Sequence, residues 1–472
     1  MRLFDALEKN GDLPAIIDAA GSVITHVQLA EAADSCTAGL SGRQLVFCLC
    51  SNTVSSVTAY VGLVRAGHVC VMLTSNLEPD RYRDLAARFT PNAVMGPLEK
   101  LADLGLRVDH SFGDHGFATV ASVAPEMNDD LALLMTTSGS TGSPMLVRVS
   151  SANLVSNAAS IIASLGLTSS DRALTTLPMN YTYGLSIINS QFQCGGSLAV
   201  SEASLMDRQF WAMVAEAGAT YFGGVPYTYQ MLQRIGTKRL AGSTLRMLTQ
   251  AGGKLAEEAV VQMHAACSSI GIEFNVMYGQ TEATARMSVL RSEDVPAHPW
   301  SIGKPIPGGA MRIVDPDTGQ ALPNGSTGEL EYSGPNVTLG YASSAGDLAR
   351  GDEFGGSIRT GDLAVADTDG FFRIVGRRKR FVKIFGSRVN LDDIEKLLAA
   401  RGTEVACTGV DDRITVHAVG IESDTATALQ DEVAAYIGVH KTAIELRMVE
   451  QIPRAESGKI LYSALMGDSD AR

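Results

Sequence analysis

The sequence predicts an α/β protein: a large domain of layered sheets and helices with a β-rich subdomain, followed by a small α+β domain. Three observations carry this. Short apolar runs alternate with amphipathic stretches of ten or more residues through the first part of the chain, the pattern of largely parallel sheets layered with helices. Between Ser301 and Gly376, glycine, proline and aspartate instead punctuate short strand-like runs. At 472 residues the chain exceeds what a single core serves, so two or three domains are expected.

The elements follow in order. Thr25 and Gln28 fit a capping box that opens a helix running toward Leu40. Gln44 to Cys50 is a short apolar strand. Thr53 to Arg65 places Val57, Tyr60, Val61 and Val64 on one helical face, and Gly67 ends it. His68 to Leu73 returns to strand, Pro79 to Phe89 is helix, and Leu131 to Met135 is a buried strand. Leu154, Ala158, Ile161, Ile162 and Leu165 keep helical spacing. Met311–Val314, Gly328–Tyr332 and Phe371–Val375 are the strands of the β-rich part. A basic run, Gly376-Arg377-Arg378-Lys379-Arg380, precedes the last stretch. There Asn390 can cap a helix whose first turn holds Asp392 and Asp393, as the helix dipole favours. Arg413–Ile421 and Ile444–Val449 read as strands and Ala426–Ile437 as helix, so the expected domains are 1–378 and 379–472.

A net charge of −13 disfavours non-specific nucleic-acid and anionic-membrane binding. Seven cysteines without a CxxC pair fit free thiols in a reducing cytoplasm. No apolar run approaches the roughly 18 residues of a membrane span, and the first residues lack a secretory h-region. A cytoplasmic protein is therefore expected.

The stretch Thr136-Thr137-Ser138-Gly139-Ser140-Thr141-Gly142-Ser143-Pro144-Met145 sets hydroxyls and two glycines behind the buried strand. Glycines bring backbone amides close to a ligand and hydroxyls add donors without bulk, which suits a polyphosphate. It departs from GxxxxGK[ST], because Ser143-Pro144 follows the second glycine. Four further stretches accompany it: Gln250-Ala251-Gly252-Gly253-Lys254-Leu255, Tyr278-Gly279-Gln280-Thr281-Glu282, Arg359-Thr360-Gly361-Asp362, and Pro453-Arg454-Ala455-Glu456-Ser457-Gly458-Lys459. Glycines at 252 and 253 either permit a flat aromatic base to lie against backbone or form a plain strand-to-helix turn. A tyrosine, a hydroxyl and a carboxylate within five residues suit adenine, phosphate and Mg²⁺. Asp362 can accept hydrogen bonds from both ribose hydroxyls.

In order and spacing these five motifs resemble the adenylate-forming (AMP-binding) superfamily, which includes acyl-CoA synthetases, peptide-synthetase adenylation domains and luciferases. The resemblance covers essentially the whole chain. It implies ATP-dependent conversion of a carboxylic acid to an acyl-adenylate with release of pyrophosphate. Acyl transfer to the thiol of coenzyme A or of a carrier-protein phosphopantetheine follows. It implies that Thr137, Ser138, Gly139, Ser140, Thr141 and Gly142 hold phosphates and that Gly252, Gly253 and Tyr278 hold adenine. Asp362 and Arg377 would hold ribose, and Thr281 and Glu282 the reacting phosphate with Mg²⁺. Lys459 becomes the catalytic lysine of a mobile small domain with its hinge at Lys379. A mobile ammonium can neutralise charge growing on the transferring phosphoryl group and then withdraw.

Two departures matter. The family's phosphate loop carries a lysine where this chain has Met145. One lost charge-assisted contact costs about 1.5–3 kcal/mol, roughly ten- to a hundredfold. Arg148 either compensates or faces solvent from a strand end. In Leu177-Pro178-Met179-Asn180-Tyr181-Thr182-Tyr183-Gly184-Leu185, Tyr181 stands where relatives place histidine at the mouth of the acyl pocket. No acid lies between Asp171 and Glu202, so an α-ammonium would lack its counter-charge. The expected substrate is a small carboxylic acid without one, in a pocket involving Tyr181, Tyr183 and Gly224, with Tyr221, Phe222 and Tyr227 as further aromatic candidates. The basic residues Arg377, Arg378, Lys379, Arg380, Lys383 and Arg388 fit either coenzyme A or an acidic acyl-carrier protein. An amine or other acceptor, or a nucleotide-binding protein with degraded catalysis, are the alternatives.

Overall fold

The computed structural model describes residues 2–121, 123–136, 145–384, 387–410, 412–421, 423–437, 439–454 and 460–466. Contacts divide these into two units, one taking residues up to 136, 145–311 and 332–358, the other 312–331 and 359 onward.

The first unit is built on two mixed sheets. One has eight strands in the order Gly340–Ala342, Leu146–Ser150, Leu131–Thr136, Val69–Thr74, Leu45–Cys50, Ala93–Pro97, His115–Thr119 and His110–Phe112. Side chains alternate along Leu45–Cys50, as a strand requires: Val46, Cys48 and Cys50 join one core and Leu45, Phe47 and Leu49 another. The second core is closed by Tyr82, Leu85 and Phe89 of the helix Pro79–Phe89. The first core is the larger. It takes buried residues from both sheets and from the helices His26–Thr37, Val54–Ala66, Ser151–Leu165 and Thr182–Gln193.

The expected helices stand where local chemistry starts and stops them. Thr25 and Gln28 form the capping box on His26–Thr37. Ser150 and Asn153 form another on Ser151–Leu165. Val54–Ala66 ends at Gly67, whose φ of 80° is the left-handed conformation that glycine adopts without strain.

The second sheet has nine strands. Its centre is parallel: Glu273–Tyr278, Met247–Gln250, Tyr221–Gly224, Arg172–Leu174 and Ser197–Ala199 lie side by side. Antiparallel strands appear toward the edges, as at Ser288–Leu290, and in the other sheet Leu131–Thr136 pairs antiparallel with Leu146–Ser150. The largely parallel expectation therefore holds for the sheet centres and not for the edges.

Gly328–Ser333, Ser357–Ala366 and Phe372–Arg377, mostly residues of the second unit, contribute to a four-stranded sheet. A separate core joins Val382, Ile384 and Val389, the helix Leu391–Ala399, the strands Val405–Val410 and Arg413–Val419, and the helix Ser423–Ile437. Arg380 lies across the Tyr462 ring at 4.0 Å and pairs with Asp392 at 2.7 Å and Glu395 at 2.5 Å. All seven cysteines are free thiols, six buried and Cys194 half-buried.

Candidate active site

The first unit gathers its chemistry at the carboxyl ends of four adjacent parallel strands, where α/β sheets bind ligands. Pairing of Gly224 with Gln250, and of Gln250 with Val276, brings three strand ends level. The turns beyond them carry Pro226, Gly252 with Gly253, and Tyr278 to Glu282. The segment leaving Arg172–Leu174 carries Tyr181 and Tyr183.

Gly252 has a φ of 83°, and a Cβ there would lie 2.5 Å from the Tyr181 hydroxyl. Only glycine lets this turn approach the tyrosine so closely. Burial pushes the Tyr181 phenol up to about 12, Tyr183 adding to the rise and Arg286 opposing it. The Gly253 carbonyl accepts from Gln250 Nε2 at 2.8 Å. Tyr183 is buried, its hydroxyl donating to the Thr249 carbonyl at 2.7 Å. Tyr181 and Tyr183 meet edge to face with centroids 6.3 Å apart. The Thr182 and Thr281 hydroxyls are 3.1 Å apart, which ties the acyl segment to the Tyr278–Glu282 turn.

That turn is tight. A Cβ on Gly279 would lie 1.5 Å from the Ala285 carbonyl oxygen. Thr284 and Ala285 have φ of 52° and 97°, sparsely populated for residues with side chains. The strain is held by neighbours. Thr284 Oγ1 donates to the Asn336 carbonyl at 2.7 Å, and Asn336 Nδ2 donates to the carbonyls of Ala283 and Arg286 at 2.7 and 2.9 Å. Asn157 Nδ2 donates to the Arg286 carbonyl as well, at 3.1 Å. Glu282 at the turn accepts a 2.7 Å hydrogen bond from Tyr341. Burial and the Glu282 charge both raise that phenol, so it stays a donor at neutral pH. One carboxylate with an oxygen to spare fits the way Mg²⁺ binds a nucleotide, through one or two carboxylates and phosphate oxygens.

Tyr278 ends the strand Glu273–Tyr278 and packs against the cluster of Ala283, Met287, Tyr332, Val337 and Ile358. In the second unit, Arg377 Nε donates to Asp362 Oδ1 at 3.0 Å across paired strands. Thr137 to Gly142 and Lys459 lie outside the described residues, as do the side chains of Lys379, Lys383, Arg388 and Asn390. The flanks of the phosphate-loop candidate are described: Thr136 pairs with Leu146, and Met145 beside it is 41% exposed.

Some expectations meet a different structure. Arg148 neither faces solvent nor is free to replace the charge absent at Met145. It is fully buried, donates to the carbonyls of Tyr341, Arg350, Leu339 and Gly351, and pairs with Glu353 at 2.6 Å. Gly340 makes room for this pair, since a Cβ there would lie 2.6 Å from Glu353 Oε2. Space beside Gly224 is filled by Thr228 and Tyr229, each 2.9 Å from where its Cβ would stand. Tyr221 and Phe222 are core, and Tyr227 is 53% exposed.

Two residues escaped sequence reasoning. Tyr341 sits far along the chain from Glu282 and has no local signal. Arg286 had one: a lone charge in the small and apolar run Ala283-Thr284-Ala285-Arg286-Met287-Ser288-Val289. It is 2% exposed, its guanidinium 3.9 Å from the centroid of the Tyr183 ring.

Glycine turns and a held carboxylate at the ends of parallel strands are the frame of an adenylate-forming enzyme. The family profile described as AMP-binding enzyme matches residues 3–342, and the chain belongs to that family. Oxalate–CoA ligase of Arabidopsis thaliana is 26% identical over 458 residues, 90% of this chain and 88% of the relative. Sulfoacetate–CoA ligase of Cupriavidus necator is 30% identical over 345 residues, 71% of this chain and 67% of the relative. ATP-bound MatB from Rhodopseudomonas palustris shares the fold, with a TM-score of 0.77 and 24% identity across 98% of both chains.

Proposed function

We propose that the protein joins a small carboxylic acid to a thiol through an acyl-adenylate. The substrate carboxylate attacks the α-phosphorus of ATP, the bond to the bridging oxygen breaks, and pyrophosphate leaves. The thiol then attacks the acyl carbon and AMP departs. The observation that carries this reading is the strained Tyr278–Ala285 turn, which holds Glu282 by the Tyr341 hydroxyl beside Thr281 and its partner Thr182. Strain of this kind concentrates at sites where geometry matters more than stability. Mg²⁺ bound at Glu282 would neutralise phosphate charge. Tyr341 fixes the direction of that carboxylate, and Gly252 lets its turn come close to Tyr181.

Ser138 to Gly142 hold the phosphates in this reading, Asp362 and Arg377 the ribose, and Lys459 the departing charge. The small domain from residue 379 brings Lys459 in and turns about Lys379. Relatives named for coenzyme A favour that acceptor. Their acids, oxalate and sulfoacetate, are short, which agrees with a site crowded by Tyr181 and Tyr183. The test is acid-dependent exchange of labelled pyrophosphate into ATP across a panel of carboxylic acids, followed by thioester assay with coenzyme A and with a phosphopantetheinylated carrier. Exchange with at least one acid, and thioester with one acceptor, is expected. Tight ATP binding without exchange for any acid favours the second reading, a nucleotide-binding protein weakened at Met145.

A further inference from the structure

Arg286 is the observation that the adenylation chemistry leaves unused. A guanidinium has five N–H donors and a permanent charge. Taking such a charge out of water is costly unless an anion and hydrogen-bond acceptors replace the water. Arg286 is 2% exposed. Its Nε donates to the Met277 sulfur at 3.2 Å, a weak acceptor, and one face of the guanidinium lies over Tyr183. Among the described residues no carboxylate pairs with it and no oxygen accepts from its two terminal nitrogens. The other buried arginine shows what a structural role requires: Arg148 has Glu353 and four carbonyls.

The location is equally specific. Asn157 and Asn336 clamp the Arg286 carbonyl, directly behind the strained Thr284 and Ala285. Tyr183, under the guanidinium, contacts Tyr181, and Tyr181 reaches Gly252. Two rings thus separate the cation from the glycine turn.

We propose that Arg286 binds a second anionic group of the substrate, so that the acid activated is a short diacid: a dicarboxylate or a sulfonated carboxylate. One carboxylate of the acid faces ATP, and the far anion receives the terminal N–H donors of Arg286, the planar two-point pairing to which a guanidinium is suited. Tyr183 holds the guanidinium flat and keeps water from it. An acid with an apolar end would leave the cation buried and uncompensated, which excludes it by the same physics that selects the diacid.

This rests on the acid-activating reading, and the experiment separates the two. Pyrophosphate exchange is measured with malonate, succinate and sulfoacetate against propionate and butyrate, for the wild-type chain, Arg286→Gln and Arg286→Lys. In parallel, each acid is titrated onto the ATP-loaded protein by calorimetry. The wild type is expected to favour a diacid over the monoacid of like length by about ten- to a hundredfold. The ratio collapses in Arg286→Gln and partly returns in Arg286→Lys. Monoacids that match the diacids in the wild type overturn the proposal. So does Arg286→Gln lowering both classes alike, the signature of a merely structural arginine. Exchange with no acid overturns the ligase reading alone if calorimetry still shows diacid binding lost in Arg286→Gln. Without that binding, both fall.

Discussion

Three single-residue changes test the proposed reaction: at Met145, which lacks a charge, at Tyr341, which donates a hydrogen bond, and at Lys459, which carries a charge. Met145 is 41% exposed next to a paired strand end, so a lysine there would be partly screened by solvent. Met145→Lys is therefore expected to tighten ATP binding toward the lower end of the range, about tenfold. Unchanged affinity by calorimetry would mean that this position does not face phosphate. Tyr341→Phe removes the donor that orients Glu282 and little else. A hydrogen bond to a charged group is worth about 1.5–3 kcal/mol. The magnesium concentration for half-maximal exchange should rise at least severalfold, with circular dichroism unaltered. A magnesium profile identical to wild type would remove Tyr341 from the site. Lys459→Ala should stop acyl-adenylate formation and spare thiol transfer from supplied acyl-adenylate. Equal loss of both steps would argue for a general role in place of a first-step one.

At the scale of elements, the periodic and capped segments were legible. The Thr25–Gln28 box, the stop at Gly67 and the limits of Pro79–Phe89 are written in adjacent residues, so local chemistry decides them. The Gly252–Gly253 and Gly279–Glu282 turns were legible because glycines and hydroxyls mark them in the sequence. What stayed hidden depends on partners far along the chain. Arg148 looks like any strand arginine until Glu353 and the carbonyls of Leu339, Tyr341, Arg350 and Gly351 close around it. Asp171 is similar: it pairs with Arg246 at 2.6 Å, seventy-five residues away, with its own side chain 2% exposed. Burial alone would raise the Asp171 carboxyl; hydrogen bonds from Arg246, the Thr168 amide and Thr220 outweigh it and hold it below the ordinary range. A depressed carboxyl stabilises fully above the unfolded value, about pH 4, and that contribution fades as pH falls through the folded value. Asp171→Asn should lower the urea midpoint at pH 7, and its deficit against wild type should shrink on acidification below about pH 4. A deficit independent of pH would show that packing, not charge, is what Asp171 supplies.

Across the whole molecule the cores are separate. The cluster around Val382, Ile394 and Val433 includes no residue of the large cluster that links the two sheets. Separate unfolding of the two cores is therefore expected, in which case no single unfolding free energy describes this chain. The free thiols follow the same division. Cys36, Cys48, Cys50, Cys70 and Cys267 are sealed in the first unit and Cys407 in the second, while Cys194 is half-buried. Burial also raises the thiol pKa at Cys36, Cys50, Cys267 and Cys407, which keeps them protonated and unreactive while folded. Pulsed alkylation under native conditions should therefore mark Cys194 first and Cys407 on a schedule independent of Cys48, Cys50 and Cys70, read peptide by peptide in a mass spectrometer. Simultaneous modification of Cys407 and that trio would mean that the chain opens as one. The protein carries its own clock in each half, and no dye or engineered label is needed to read either.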